Sequence, residues 1–106
     1  MQARMEKIGN VVLDYTYYEG QDFYTDGEIE DEMLDIAMNN LPERFPEIIE
    51  ERKSWPVFYH FSPLRSNIID WLPFKKTDKI LEIGAGCGAV TGALARRAGS
   101  VTCVDL

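Results

Sequence analysis

Residues 80–106, ILEIGAGCGAVTGALARRAGSVTCVDL, constrain this chain more than any other stretch. ILEI is an apolar strand with one acid inside it. Gly84, Gly86 and Gly88 follow at alternate positions, where glycine lets a strand turn sharply into a helix and leaves bare backbone for a ligand. AVTGALARRA has the composition of a helix, Gly99 stands where a C-cap is expected, and SVTCVDL reads as the next strand. A strand, a crossover helix and a strand make one βαβ unit, roughly the smallest that closes, with its two strands parallel. The spacing predicts parallel neighbours over 79–83 and 100–105 joined by a helix over about 88–98.

Open parallel sheets bind ligands at the carboxyl ends of their strands, and Asp105 ends the second strand. It follows Gly84 by 21 residues, the spacing of the acid that takes ribose hydroxyls in nucleotide-binding βαβ units. Gly84, Gly86 and Ala89 also satisfy G-x-G-x-x-A, so a dinucleotide, NAD or FAD, is one reading. Glu82 argues against it. A carboxylate two residues before the turn repels a pyrophosphate and attracts the ammonium and sulfonium of S-adenosylmethionine (SAM).

LEIGAGCGAV resembles the E/D-x-G-x-G-x-G first motif of class I SAM-dependent methyltransferases, and VTCVDL resembles their second motif. The resemblance spans about 27 residues and implies a Rossmann-like parallel sheet, of which this chain holds the start. It implies that Glu82 lies near the methionyl amino group. Gly84, Ala85, Gly86 and Gly88 would wrap the methionyl and ribose part, and Asp105 would hold the ribose hydroxyls. The catalytic residue is left unknown, because the later strands that carry the acceptor site in this family are not in this sequence. The chain is thus expected to be the N-terminal part of a longer enzyme and inactive alone. Locally the stretch is similar to rRNA adenine dimethyltransferases. The lead-in, YTDGEIEDEML and WPVFYHFSPLRSNIIDWLPF, resembles bacterial methyltransferases that accompany glycosyltransferases, which implies a small-molecule or saccharide acceptor.

Residues 1–73 read as a mixed, mostly helical lead-in, and 74–106 as the truncated first βαβ unit of the SAM-binding domain. NVVLDYTYY, residues 10–18, suits a strand or extended segment. A helix is expected over 27–39, capped by Thr25 or Asp26, with Ile29, Met33, Ile36 and Ala37 on one face. Its acids, Glu28 to Glu32, are read as helix-dipole partners and not as a metal site. PEIIEERK suits a short helix with Pro46 first, WPVFYHFSP an irregular aromatic segment, and PLRSNIIDWL a helix over 63–72 with Leu64, Ile68 and Trp71 or Leu72 inward. Tyr59 and His60 are weaker candidates for lining the cofactor pocket, against a structural role. Arg65 is read as an ion-pair arginine, with the SAM carboxylate as the other reading. Thr91 and Arg96 are read as helix surface.

Charge narrows the partners. Residues 1–53 hold 14 acidic and 5 basic side chains, residues 54–106 hold 4 and 6, and the net charge is −7. An acidic half repels a phosphate backbone, which disfavours nucleic acid. No apolar run reaches the roughly 18 residues of a membrane span, and the N-terminus lacks a signal peptide's apolar stretch. Cys87 and Cys103 form no CxxC pair and are read as thiols of a reducing cytoplasm. The rival class is a non-catalytic interaction module that self-associates through an exposed strand edge.

Overall fold

The computed structural model describes residues 4–20 and 27–105 as a mixed α and β structure with two small sheets. The first is an antiparallel hairpin of β1 (Met5–Ile8) and β2 (Val11–Asp14). Gly9, at φ 59°, takes the first position of its two-residue loop, where glycine meets the backbone twist that hairpins require. The expected single strand over 10–18 is therefore a shorter strand paired with one that sequence reading missed, since MEKI alone is too short and too polar to announce itself.

Three helices follow: α1 (Glu28–Asn39), α2 (Phe45–Arg52) and α3 (Trp55–Phe61). The N-cap of α1 is Gly27 without a side-chain hydrogen bond, and the expected caps, Thr25 and Asp26, lie outside the described residues. Met33 and Ile36 are buried and Ile29 is half-buried, but Ala37 is exposed. The acids at 28, 30 and 31 occupy the first turn of α1, and Glu32 pairs with Arg52 of α2 at 3.0 Å. Helix α2 starts one residue earlier than expected, which puts Pro46 at its second position, and it stops where Lys53 turns left-handed at φ 49°.

The aromatic segment expected to be irregular is the helix α3. Pro56 sits in its first turn, where the missing N–H has no partner to lose. Val57 is fully buried and Phe61, one turn on, packs with it against Ile36 and Ile48. Tertiary burial thus outweighs the modest helix propensity of four aromatic residues.

Pro63–Ile68 is a 3-10 segment, not the start of an α-helix. Three residues per turn shift the inward face. Leu64, Ile68 and Trp71 are exposed; of the expected inward residues Leu72 packs on the second core, and Ile69 joins it there in place of Ile68.

That second core joins Ile69, Leu72 and Phe74 to the βαβ unit: β3 (Lys79–Ile83), α4 (Thr91–Arg97) and β4 (Ser100–Val104). β3 and β4 are parallel, with Glu82 opposite Cys103. Helix α4 is shorter than expected, because the residues from Gly88 to Val90 belong to the turn. It covers one face of the pair through Ala93 and Leu94, against Ile80 and Val101. On the other face Leu81 and Ile83 remain 60% and 78% exposed, which is unusual for parallel strands, whose two faces are normally covered. Arg97 ties the two halves of this core together. It donates to the carbonyls of Ile69 and Leu72 at 2.8 and 2.5 Å, pairs with Asp70 and lies over the ring of Phe74.

Gly99 has a role other than the expected left-handed cap. Its φ is not positive, and Ala98 is the C-cap of α4. A Cβ at 99 would overlap the backbone carbonyl of Lys76 and come within 3.2 Å of that of Asp78, so glycine is needed for close approach of two backbone segments. No helix among the described residues is long and apolar enough to cross a membrane.

Candidate functional site

The turn between β3 and α4 is built on three left-handed glycines, Gly84, Gly86 and Gly88, at φ 73°, 57° and 81°. L-residues rarely adopt these angles, so the conformation itself requires glycine. A Cβ at Gly84 or Gly86 would meet no atom within 4 Å. The protein does not crowd the turn, and its backbone is open on that side. Ala85 accepts a hydrogen bond from the Gly88 N–H at 3.0 Å, which closes the loop on itself.

The acid at the end of β4 reaches this turn. Asp105 Oδ2 accepts from the Gly86 N–H at 2.5 Å, and the Gly84 N–H donates to the Val104 carbonyl at 2.8 Å. The turn and the C-terminal end of β4 are thereby one unit. Asp105 is exposed, as are Gly84 and Gly86.

Glu82 is half-buried on the α4 side of β3. The Thr91 hydroxyl donates to its Oε1 at 2.5 Å, and the Cys103 thiol lies 3.5 Å from the same oxygen. Both contacts fall on Oε1. Partial burial of the Cys103 sulfur, and then its bond to Glu82, raise the thiol above its ordinary pKa of 9.0. Thr91, read from sequence as helix surface, is thus the side chain that holds Glu82. A β-branched hydroxyl in the first turn of a short helix gave no sequence signal for that role.

The weaker candidates separate. Tyr59 stacks under the Arg65 guanidinium, whose carbon lies 3.3 Å from the ring centroid, and packs against Trp55. His60 directs Nδ1 at the Pro56 carbonyl at 2.8 Å, so Nδ1 carries the proton and donates. This is a helical i to i−4 contact and supports a structural role. His60 also lines a cavity of about 350 Å³ between α4 and the region from Pro42 to Ser66. Of the residues expected to hold the cofactor, only Gly88 and His60 line that cavity; Tyr59, Glu82, Gly84, Ala85, Gly86 and Asp105 do not. Arg65 departs from its expected role, since it makes no ion pair among the described residues. Among the described residues no group of three or more His, Cys, Asp or Glu is arranged to hold a metal ion.

No known protein family matches the sequence, and no curated protein or solved structure shows significant similarity to the chain.

Proposed function

We propose that this chain carries the cofactor-binding turn of a SAM-dependent methyltransferase, and that β3, α4 and β4 begin a Rossmann-like sheet. The observation that carries the reading is the meeting of an acid-led glycine turn with Asp105 at the carboxyl end of a parallel strand pair. The residues fit the group chemically. The uncrowded faces of Gly84 and Gly86 suit a ligand lying on backbone, and the exposed carboxylate of Asp105 suits vicinal hydroxyls. The side-chain hydrogen bonds of Glu82 among the described residues use Oε1, and Oε2 is the oxygen that a cationic methionyl end would take.

SAM, when bound, supplies an electrophilic methyl group on a sulfonium. Glu82, the turn from Gly84 to Gly88 and Asp105 would hold and orient it; the residue that activates the acceptor is not assigned. The acceptor in this reading is a small molecule or saccharide rather than RNA, in keeping with the net charge of −7.

Calorimetry of the intact protein with SAM, adenosine and NADH tests the reading. Glu82→Gln should weaken SAM more than adenosine, which lacks the methionyl group. Asp105→Ala should weaken both by roughly 1.5–3 kcal/mol for each charge-assisted hydrogen bond lost. Saturable NADH binding by the wild type, or equal losses for SAM and adenosine in Glu82→Gln, would defeat it.

A second reading, an interaction module, is favoured by one feature: the uncovered face of β3 and β4, with Leu81, Ile83 and Val104 exposed. Sedimentation that shows self-association reversed by Ile83→Lys, with no thermal response to SAM, would support that reading.

A further inference from the structure

The cavity between α4 and the region from Pro42 to Ser66 has a chemistry that the glycine turn does not explain. In a protein of net charge −7, no acidic residue among the described residues lines it, whereas Arg65 and Arg96 both do. Neither arginine makes an ion pair among the described residues. The Nε of Arg65 is buried with no hydrogen-bond partner among the described residues, so its charge is offset there by the Tyr59 ring alone and not by an acid. Its guanidinium carbon lies 3.3 Å from the Tyr59 ring centroid, a contact that restrains the fork. Arg96 folds back along α4, its Nη1 lying 3.5 Å from where a Cβ of Gly92 would stand. Gly92 and Ala93 form a smooth wall on the α4 side, and Phe45, Phe61 and Pro63 form an apolar wall on the other.

We propose that this cavity binds a small molecule, distinct from SAM, that joins a carboxylate to a flat apolar body, with Arg65 and Arg96 meeting the carboxylate. A guanidinium matches a carboxylate through paired N–H donors. The volume of about 350 Å³ suits a small ligand. Mostly apolar walls suit a monoanion on an apolar body better than inorganic phosphate, whose remaining oxygens would lie unpaired against phenyl and proline rings. The ligand is separate from the cofactor because, of the turn residues expected to hold the cofactor, Gly88 alone lines the cavity. The site stands whether or not the glycine turn binds SAM.

The test follows amide chemical shifts of the intact protein during titration with benzoate, benzamide and inorganic phosphate, and with benzoate at saturating SAM. Benzoate should move the amides of Phe61, Gly92 and Ala93 saturably. Benzamide, its uncharged analogue, should bind at least about ten-fold more weakly, the size of one charge-assisted hydrogen bond. Phosphate should leave these amides in place, and SAM should not displace benzoate. Arg65→Gln and Arg96→Gln should each weaken benzoate about ten-fold. Arg96 is exposed, so its variant reports on the site even where Arg65→Gln fails to fold. Equal affinity for benzoate and benzamide, saturable phosphate shifts at these amides, or unchanged benzoate affinity in Arg96→Gln would overturn the proposal. Displacement of benzoate by SAM would overturn it too, since the carboxylate would then be the cofactor's own.

Discussion

The Thr91 hydroxyl donates to Glu82 Oε1 at 2.5 Å and pins the first turn of α4 to β3 beside the glycine turn. A carboxylate half-buried between a strand and a helix needs such a partner, and the bond also sets the direction in which Glu82 points. Thr91→Val keeps the shape and removes the donor. It should lower stability by about 1.5–3 kcal/mol, the range for a hydrogen bond to a charged group, read from the midpoint of urea unfolding. Thr91→Ser should retain most of that stability.

The neighbouring thiol reports on the same carboxylate. Because partial burial and the bond to Glu82 raise the Cys103 pKa, its alkylation by iodoacetamide should have a midpoint above 9.0, followed by peptide mass spectrometry against pH. Glu82→Gln should move that midpoint down, because it removes the negative neighbour, although burial keeps part of the shift. The linkage has a definite sign. A thiol with a raised folded pKa contributes stability that is fully present below its unfolded value and is lost as pH rises through the folded one. The protein should therefore lose stability above about pH 9 more steeply than Cys103→Ser.

Two glycines of the βαβ unit should respond to alanine with opposite signs. Gly99→Ala drives a Cβ into the backbone carbonyl of Lys76, with no flexible side chain to give way. Overpacking of this kind costs about 1–3 kcal/mol. Gly92 lies in α4 without positive φ, and its Cβ would meet only the mobile end of Arg96 at 3.5 Å. Gly92→Ala should stabilise by roughly 0.5 kcal/mol through helix propensity. Thermal unfolding of both variants checks the pair.

Adjacent arginines should also part. Arg97 donates to the carbonyls of Ile69 and Leu72, which also accept the backbone N–H groups of Leu72 and Phe74, so Arg97→Ala should cost roughly 1.5–3 kcal/mol in chemical unfolding, through the lost charged donor rather than through orphaned acceptors. Asp70→Asn should cost only about 0–1 kcal/mol, because that pair is 3.6 Å apart and half-exposed. Arg96→Ala, at an exposed position, should stay within about 0.5 kcal/mol of the wild type.

The parallel pair, the left-handed glycine turn and the arrival of Asp105 beside it were determined by sequence alone. Each rests on local rules: apolar runs of strand length, glycines where φ must be positive, and a fixed spacing across one crossover. Tertiary structure decided the rest. WPVFYHF becomes a helix because Val57 and Phe61 gain more by packing on Ile36 and Ile48 than their intrinsic preferences cost. Arg65, read as an ion-pair residue, instead lies on Tyr59 in a cavity that α4 closes from 26 or more residues along the chain. Thr91 meets Glu82 only because α4 folds back over β3. Which side chains face one another across such a gap depends on where packed elements come to rest, and no periodicity within either element carries that information.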